Sequence, residues 1–316
     1  MTEPASVYRR RRATALALLA GVVVLLVMAV RSCGEEAADR VAEPESQAAA
    51  ADRPPAELPR GGRRIFPDFR VVAFYGAPQS DKLGALGIGS PAAAGRRLER
   101  VARGYARRTR PVLPAFELIS TIAAAAPGDD GLHRMHQPDE VISRYLDAAR
   151  DARALLVLDI QPGRGDFVSE VRRLERWLRE PDVGLALDQE WHVGPGEIPG
   201  NVIGSVTADE VNAVTDYLAR FVVEHNLPEK LFVVHQFTSG MIENKDRVAR
   251  RRGLAVTMNV DGFGDRPNKI SKYVQFTSEL ARFHDGFKLF YEEDTNLMSP
   301  GAVLDLRPPP DLVVYE

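Results

Sequence analysis

The sequence predicts an α/β fold, a (β/α)8 TIM-type barrel preceded by an N-terminal membrane segment and a disordered tether. Three observations carry this. From residue 70 onward, short apolar runs alternate with amphipathic, charged stretches. The runs are apolar throughout, so both faces of each strand are buried, as in a parallel sheet covered by helices. Eight such runs follow one another, and in a folded region of about 250 residues they match the barrel in number and size.

The elements run in order. "RVVAFYGAP" (70–78) precedes a helical "RRLERVARGYARRT" (96–109), and "PVLPAFELIS" (111–120) precedes "PDEVISRYLDAARDA" (138–152). "ALLVLDIQPG" (154–163) leads to "DFVSEVRRLERWLRE" (166–180), whose Val171, Leu174, Trp177 and Leu178 recur with helical period. "VGLALDQEW" (183–191) leads through a long Gly/Pro loop to the helix of "TADEVNAVTDYLARFVVEHN", opened by a Thr207–Glu210 capping box. "KLFVVHQFTSG" (230–240) precedes a helical "IENKDRVARR" (242–251), and "LAVTMNVDGFG" (254–264) precedes "NKISKYVQFTSELARF" (268–283). "FKLFYEED" (287–294) and "DLVVYE" (311–316) complete the set, joined by "NLMSPGAVLDLRPPP", which is more loop than helix. No helix follows the eighth run, so a doubly wound open sheet is the alternative topology. "GALGIG" (84–89) has the wrong spacing for a dinucleotide-binding loop and reads as loop flexibility.

Ahead of the barrel, residues 1–12 form a cytoplasmic basic segment carrying Arg9 to Arg12. Residues 13–32, apolar without interruption from Ala13 to Val30, read as a signal peptide or signal anchor. The arginines stay in the cytoplasm, so the rest is exported to the extracytoplasmic face of a bacterial cell membrane. "VRSC" resembles a lipobox with Cys33 as the lipidated residue, although Arg31 stands where a small residue is usual. A lipoprotein and an uncleaved anchor both stay open. Residues 33–66 are a flexible linker, with no aromatic residue between Gly34 and Arg64, and residues 67–316 are the barrel domain. Extended, about 30 residues reach roughly 100 Å from the membrane.

Composition narrows the partners. The 45% apolar and 27% charged content of the 316 residues is that of a globular protein. A net charge of −3 without a dominant basic patch gives no sign of a nucleic-acid binder, so no nucleic-acid partner is expected. Cys33 is the single cysteine, so neither a disulfide framework nor a cysteine zinc cluster can form.

In a barrel the catalytic groups sit at the carboxyl ends of the strands. There the sequence places Tyr75, Glu117, Asp159, Gln161, Asp188, Glu190, His192, His235, Gln236, Asn259, Asp261, Tyr291, Glu292 to Asp294, Tyr315 and Glu316. The opposite ends begin with Arg70, Arg153, Lys230 and Lys288 or with small residues. Asp188, Glu190 and His192 alternate, so an extended strand would aim them from one face, about 6.6 Å apart per step. Like charges crowded in a desolvated cleft push one pKa up and leave another carboxyl ionised, which suits acid–base chemistry.

"GLALDQEW" (184–191) resembles the fourth-strand signature of the family-18 glycoside hydrolases, the chitinases and related endoglycosidases. Gly184, Leu185, Leu187, Asp188, Glu190 and Trp191 fit that pattern, with Ala186 in place of its first Asp. "MNVD" (258–261) resembles the sixth-strand motif through Met258 and Asp261, with Val260 in place of its Tyr. The resemblance implies a substrate-assisted retaining glycosidase: Glu190 as general acid, and Asp188 orienting a 2-acetamido group. The substitutions at Ala186 and Val260 remove two of that mechanism's supports. Trp191, Tyr75 and Tyr291 are expected to offer faces to sugar rings. The expected substrate is a cell-envelope or environmental polysaccharide or oligosaccharide, bound by the other rim residues, with no cofactor and no metal.

Two rivals stay open. A glycan-binding or scaffolding barrel would share the fold. A metal-dependent hydrolase would draw ligands from His192, His235, Asp188 and Asp261, with "HRMH" (133–136) adding two histidines, though no HExxH is present. "GDDGLHRMHQPDE" reads better as a polar loop leading to a helix with Pro138 in its first turn, and His225 and His284 as solvating residues.

Overall fold

The computed structural model describes residues 55–278 and 282–316. The basic segment, the apolar stretch, Cys33 and most of the linker lie outside the described residues. Among those described, no helix is long and apolar enough to cross a membrane.

The strands are β1 (Arg70–Gly76), β2 (Val112–Ala123), β3 (Arg134–His136), β4 (Leu155–Ile160), β5 (Val183–Leu187), β6 (Val206–Thr207), β7 (Lys230–Gln236), β8 (Ile242–Glu243), β9 (Leu254–Val260), β10 (His284–Leu289) and β11 (Leu312–Tyr315). The eight predicted runs supply β1, β2, β4, β5, β7, β9, β10 and β11, all parallel and paired in that order. The ring closes because β1 pairs on both edges, Val71 with Leu312 and Tyr75 with Glu117 in register. The open-sheet alternative is thereby overturned.

Helices α1 (Pro91–Ala102), α2 (Asp139–Asp151), α3 (Phe167–Arg173), α4 (Glu175–Leu178), α5 (Ala208–Glu224), α6 (Arg266–Ser278) and α7 (Pro300–Leu304) cover the outside. Their starts are written locally. The Ser90 hydroxyl accepts from Ala93 N ahead of Pro91, Asp166 accepts from Ser169 N, and Thr207 and Glu210 form the expected capping box. Alternate strand residues divide the core into two. Val71, Ala73, Leu113, Ala115, Val157, Ala186, Val233, Ala255 and Val314 fill the barrel. Phe74, Phe116, Leu158, Leu187, Val234, Met258 and Leu289 pack under the helices.

Several expectations are corrected. "IENKDRVARR" is not a helix: Ile242 and Glu243 pair with Val206 and Thr207, and Lys245–Arg247 make a single tight turn. The buried Lys245 ammonium holds that turn by donating to Gln236 Oε1 at 2.6 Å and the Phe276 carbonyl at 3.0 Å. Within "GDDGLHRMHQPDE", Arg134–His136 form β3, antiparallel to an end of β2 that overshoots the barrel. Pro138 precedes α2 as its cap residue rather than lying in its first turn. Leu58, Ile65 and Phe66 are buried with the barrel's inner core, so the folded domain begins within the stretch read as linker.

Candidate active site

Inside the barrel each strand turns from apolar to polar as it reaches its carboxyl end. The inward series Val71, Ala73, Tyr75 on β1 is echoed by Leu113, Ala115, Glu117 on β2 and by Leu155, Val157, Asp159 on β4. Ala186 of β5 is followed by Asp188, and Leu231 and Val233 of β7 by His235. β9 contributes Asn259 and then Asp261, β10 Lys288, and β11 leads to Glu316. Gly286 on β10 is required at its level, because a Cβ there would lie 2.6 Å from Asn259 Oδ1.

His235 is the centre of this layer. Its Nδ1 lies 2.9 Å from Asp261 Oδ2 and its Nε2 2.9 Å from Glu117 Oε1, with Asp159 Oδ1 3.9 Å away. Asn259 Nδ2 flanks it at 3.3 Å. Lys288 bridges Asp261 at 3.1 Å and Glu316 at 2.7 Å, its ammonium 3.8 Å over the Tyr75 ring. The Tyr75 hydroxyl donates to Asp159 Oδ2 at 3.1 Å and lies 3.4 Å from Asp188 Oδ2. Gln161 Nε2 donates to the Tyr75 oxygen at 3.0 Å and to Asp188 Oδ2 at 3.3 Å.

Burial and charge sort these groups. Burial, then the Asp188 charge, pushes Asp159 well above the carboxylate range, against the pull of His235. Burial raises Asp188 as well, opposed by His235 and Lys288. Burial acts in the same direction on Asp261, but Lys288 and His235 outweigh it and hold that carboxyl low. Burial alone would lower His235, yet its bonds to Asp261 and Glu117 hold it well above an ordinary imidazole. Tyr75, buried beside Asp159 and Asp188, is raised and keeps its proton. The mouth therefore drives neighbouring carboxyls in opposite directions, Asp159 and Asp188 toward the protonated form and Asp261 toward the ionised one.

The alternation expected of Asp188, Glu190 and His192 does not form. β5 ends at Leu187, and Gln189–Trp191 make a single 3-10 turn. The buried Gln189 amide donates to the His235 carbonyl on β7, which draws residue 189 out of the outward-facing position an extended strand would give it. Gly204 N donates to the Glu190 carbonyl at 2.7 Å and ties the long loop to this turn. A Cβ at Gly204 would meet the His192 and Gln189 carbonyl oxygens at 2.1 and 2.5 Å, so only glycine fits. Asp188 is buried, and Glu190 in the turn is 8% exposed.

Other predicted residues lie apart. His192 donates Nδ1–H to the Ser205 carbonyl at 2.8 Å and packs on Phe167, so it braces the loop. Gln236 faces outward, where Lys245 donates to it. Glu292 forms an exposed ion pair with Lys82 at 2.9 Å. Tyr291 is 44% exposed but stacks against Tyr315, whose hydroxyl meets that of Tyr105 behind the barrel wall. Tyr75 offers no face to a sugar, since it is enclosed within the barrel. Of the histidines considered as metal ligands, His133 bonds to the Ala125 carbonyl and His136 to Glu170, both outside the mouth. Among the described residues, donor atoms of Glu117, Asp159 and His235 come within 4.8 Å of one another.

Lys288 is the residue the sequence misplaced. Starting the strand at Phe287 sets it at the amino end, whereas β10 begins at His284 and carries Lys288 to the mouth. Its signal was a lone cation at an inward position of an otherwise apolar run. Comparison with known proteins finds no family model that matches the chain and no curated protein that matches it.

Proposed function

We propose that this barrel is a glycoside-hydrolase-type enzyme, tethered at the extracytoplasmic face of a bacterial membrane, that acts on a polysaccharide or oligosaccharide. Glu190 is its general acid and Asp188 the partner carboxylate. The observation that carries the reading is how Asp188 is held at the mouth. Tyr75 and Gln161 both address its Oδ2, while its buried Oδ1 has no hydrogen-bond partner among the described residues. An acceptor left this way is costly unless a ligand supplies the donor, and the N–H of a 2-acetamido group is such a donor.

The departure at Ala186 has a local answer. Asp159 of β4 lies in register with Ala186 and bonds to the Tyr75 hydroxyl that also approaches Asp188. A neighbouring strand thus supplies the carboxyl that the fourth strand lacks. Val260 packs outward beneath the helices, so nothing at that position supports a cyclised intermediate. That loss favours one second reading, a barrel that binds glycan without cleaving it.

Turnover of N-acetylated and plain oligosaccharides by the wild type and by Glu190→Gln separates these readings. The expected result is cleavage of the N-acetylated series, reduced about 10²- to 10⁴-fold in the variant at unchanged circular dichroism. Equal turnover by the two proteins removes Glu190 as the acid. Binding of oligosaccharide by the wild type without turnover selects the second reading.

A further inference from the structure

The floor of the mouth carries a cluster of donor atoms of which the hydrolysis proposed above uses only Asp159, as a support for Asp188 through Tyr75. From it we infer that Glu117, Asp159 and His235 bind one divalent transition-metal cation, Zn²⁺ or Mn²⁺. The inference stands whether or not the barrel cleaves glycans.

The argument begins at the imidazole. Asp261 Oδ2, 2.9 Å from Nδ1 and anchored by Lys288 at 3.1 Å, accepts the Nδ1 hydrogen. Nε2 then faces Glu117 Oε1 at 2.9 Å and Asp159 Oδ1 at 3.9 Å. A nitrogen lone pair opposed to carboxylate oxygens is repulsive, so positive charge belongs between them. A proton on Nε2 satisfies Glu117 alone. Asp159 Oδ1 has no hydrogen-bond partner among the described residues, although Asp159 is 0% exposed and its other oxygen is engaged by Tyr75. This oxygen is the one that faces Nε2. A buried carboxyl oxygen without a partner is strongly disfavoured, protonated or not, and a cation that takes the place of any proton between the three donor atoms satisfies all of them.

Distance and chemistry agree. The donor atoms lie within 4.8 Å of one another. Nε2 lies 2.9 Å from Glu117 Oε1 and 3.9 Å from Asp159 Oδ1, separations that straddle the roughly 3.4 Å between two ligands at a tetrahedral angle on zinc at about 2.0–2.2 Å. One imidazole and two carboxylates suit a divalent transition cation that takes nitrogen as well as oxygen, whereas Mg²⁺ and Ca²⁺ favour sites made of oxygen alone. The Nδ1–H bond to Asp261 is the outer-shell contact that fixes the ring and its tautomer in histidine metal sites. These ligands come from β2, β4 and β7, far apart in the chain, which is why no short motif announced them.

The test uses the full-length chain in detergent, stripped with chelator and dialysed, then titrated calorimetrically with ZnCl2 and with MnCl2. The expected result is one equivalent of at least one of these ions per chain, with affinity reduced at least tenfold in both Asp159→Asn and Glu117→Gln. X-ray absorption on the loaded wild type should show a single imidazole with oxygen neighbours, and this readout does not depend on either variant folding. Uptake of neither ion, unchanged affinity in folded variants, or a shell of several imidazoles overturns the site and leaves the charge as a proton on His235. Because binding is read without substrate, failure here is distinguishable from failure of the glycosidase assignment.

Discussion

Lys288 shows how one side chain sets the electrostatics of the mouth. It is 2% exposed, and burial on its own would strip its proton. The charges of Asp261 and Glu316 outweigh burial and hold the ammonium well above its ordinary range. Lys288→Met leaves the buried Asp261 charge without its main counterion while conserving volume. The expected loss is about 3–5 kcal/mol, the usual consequence of breaking a buried pair by removing one partner. It is read as a lower denaturant midpoint at neutral pH, and a midpoint within error of wild type would show that His235 alone neutralises Asp261. Tyr75, Glu117, Asp159, Asp188 and His235 were legible in the sequence because each is the polar residue at which an apolar run turns. Lys288 was not, because the polar "HDG" opening of its strand hides where that strand begins.

At the scale of elements, local chemistry writes the starts of helices more clearly than the ends of strands. Thr207 and Glu210 satisfy each other's backbone: Glu210 N donates to Thr207 Oγ1 at 3.2 Å, and Thr207 N to Glu210 Oε2 at 2.8 Å. Thr207→Ala is expected to cost about 1 kcal/mol, and Thr207→Ser a few tenths at most, measured by equilibrium unfolding. β5 is the contrasting case. Its sequence alternates in a way an extended strand would allow, but the bond of Gln189 to the His235 carbonyl on β7 and the bond of Gly204 N to the Glu190 carbonyl bend residues 189–191 into a turn. "IENKDRVARR" failed for a related reason, because the buried Lys245 ammonium holds its carbonyl partners only if the chain turns tightly there.

For the whole molecule, stability in acid depends on Glu170, which ties α3 to the β2–β3 extension. It accepts from Thr121 Oγ1 at 3.0 Å and Arg134 Nε at 2.6 Å, and it pairs with His136 Nε2 at 2.8 Å. Burial would raise its pKa, but the bonds from His136 and Arg134 outweigh burial and bring it to about 2 from an ordinary 4.5. The unfolded chain therefore binds the extra proton between these values. Glu170's contribution is fully present above about pH 4.5 and is lost as pH falls through about 2. Glu170→Gln should be less stable near neutrality and should show a shallower decline over that window, followed by denaturant midpoint against pH. Parallel midpoint curves for the two proteins would remove Glu170 as a source of the decline. Sequence alone determined the eight buried runs and most of the residues at which they turn polar, because burial on both faces and the onset of polarity are local patterns. An open sheet satisfies the same patterns, so only the pairing of β1 with both β2 and β11 decided closure. Likewise, only the closed ring sets His235 between Glu117 and Asp261 with Lys288 behind them. Distances across a barrel depend on how strands far apart in the chain are staggered, and no local period records that.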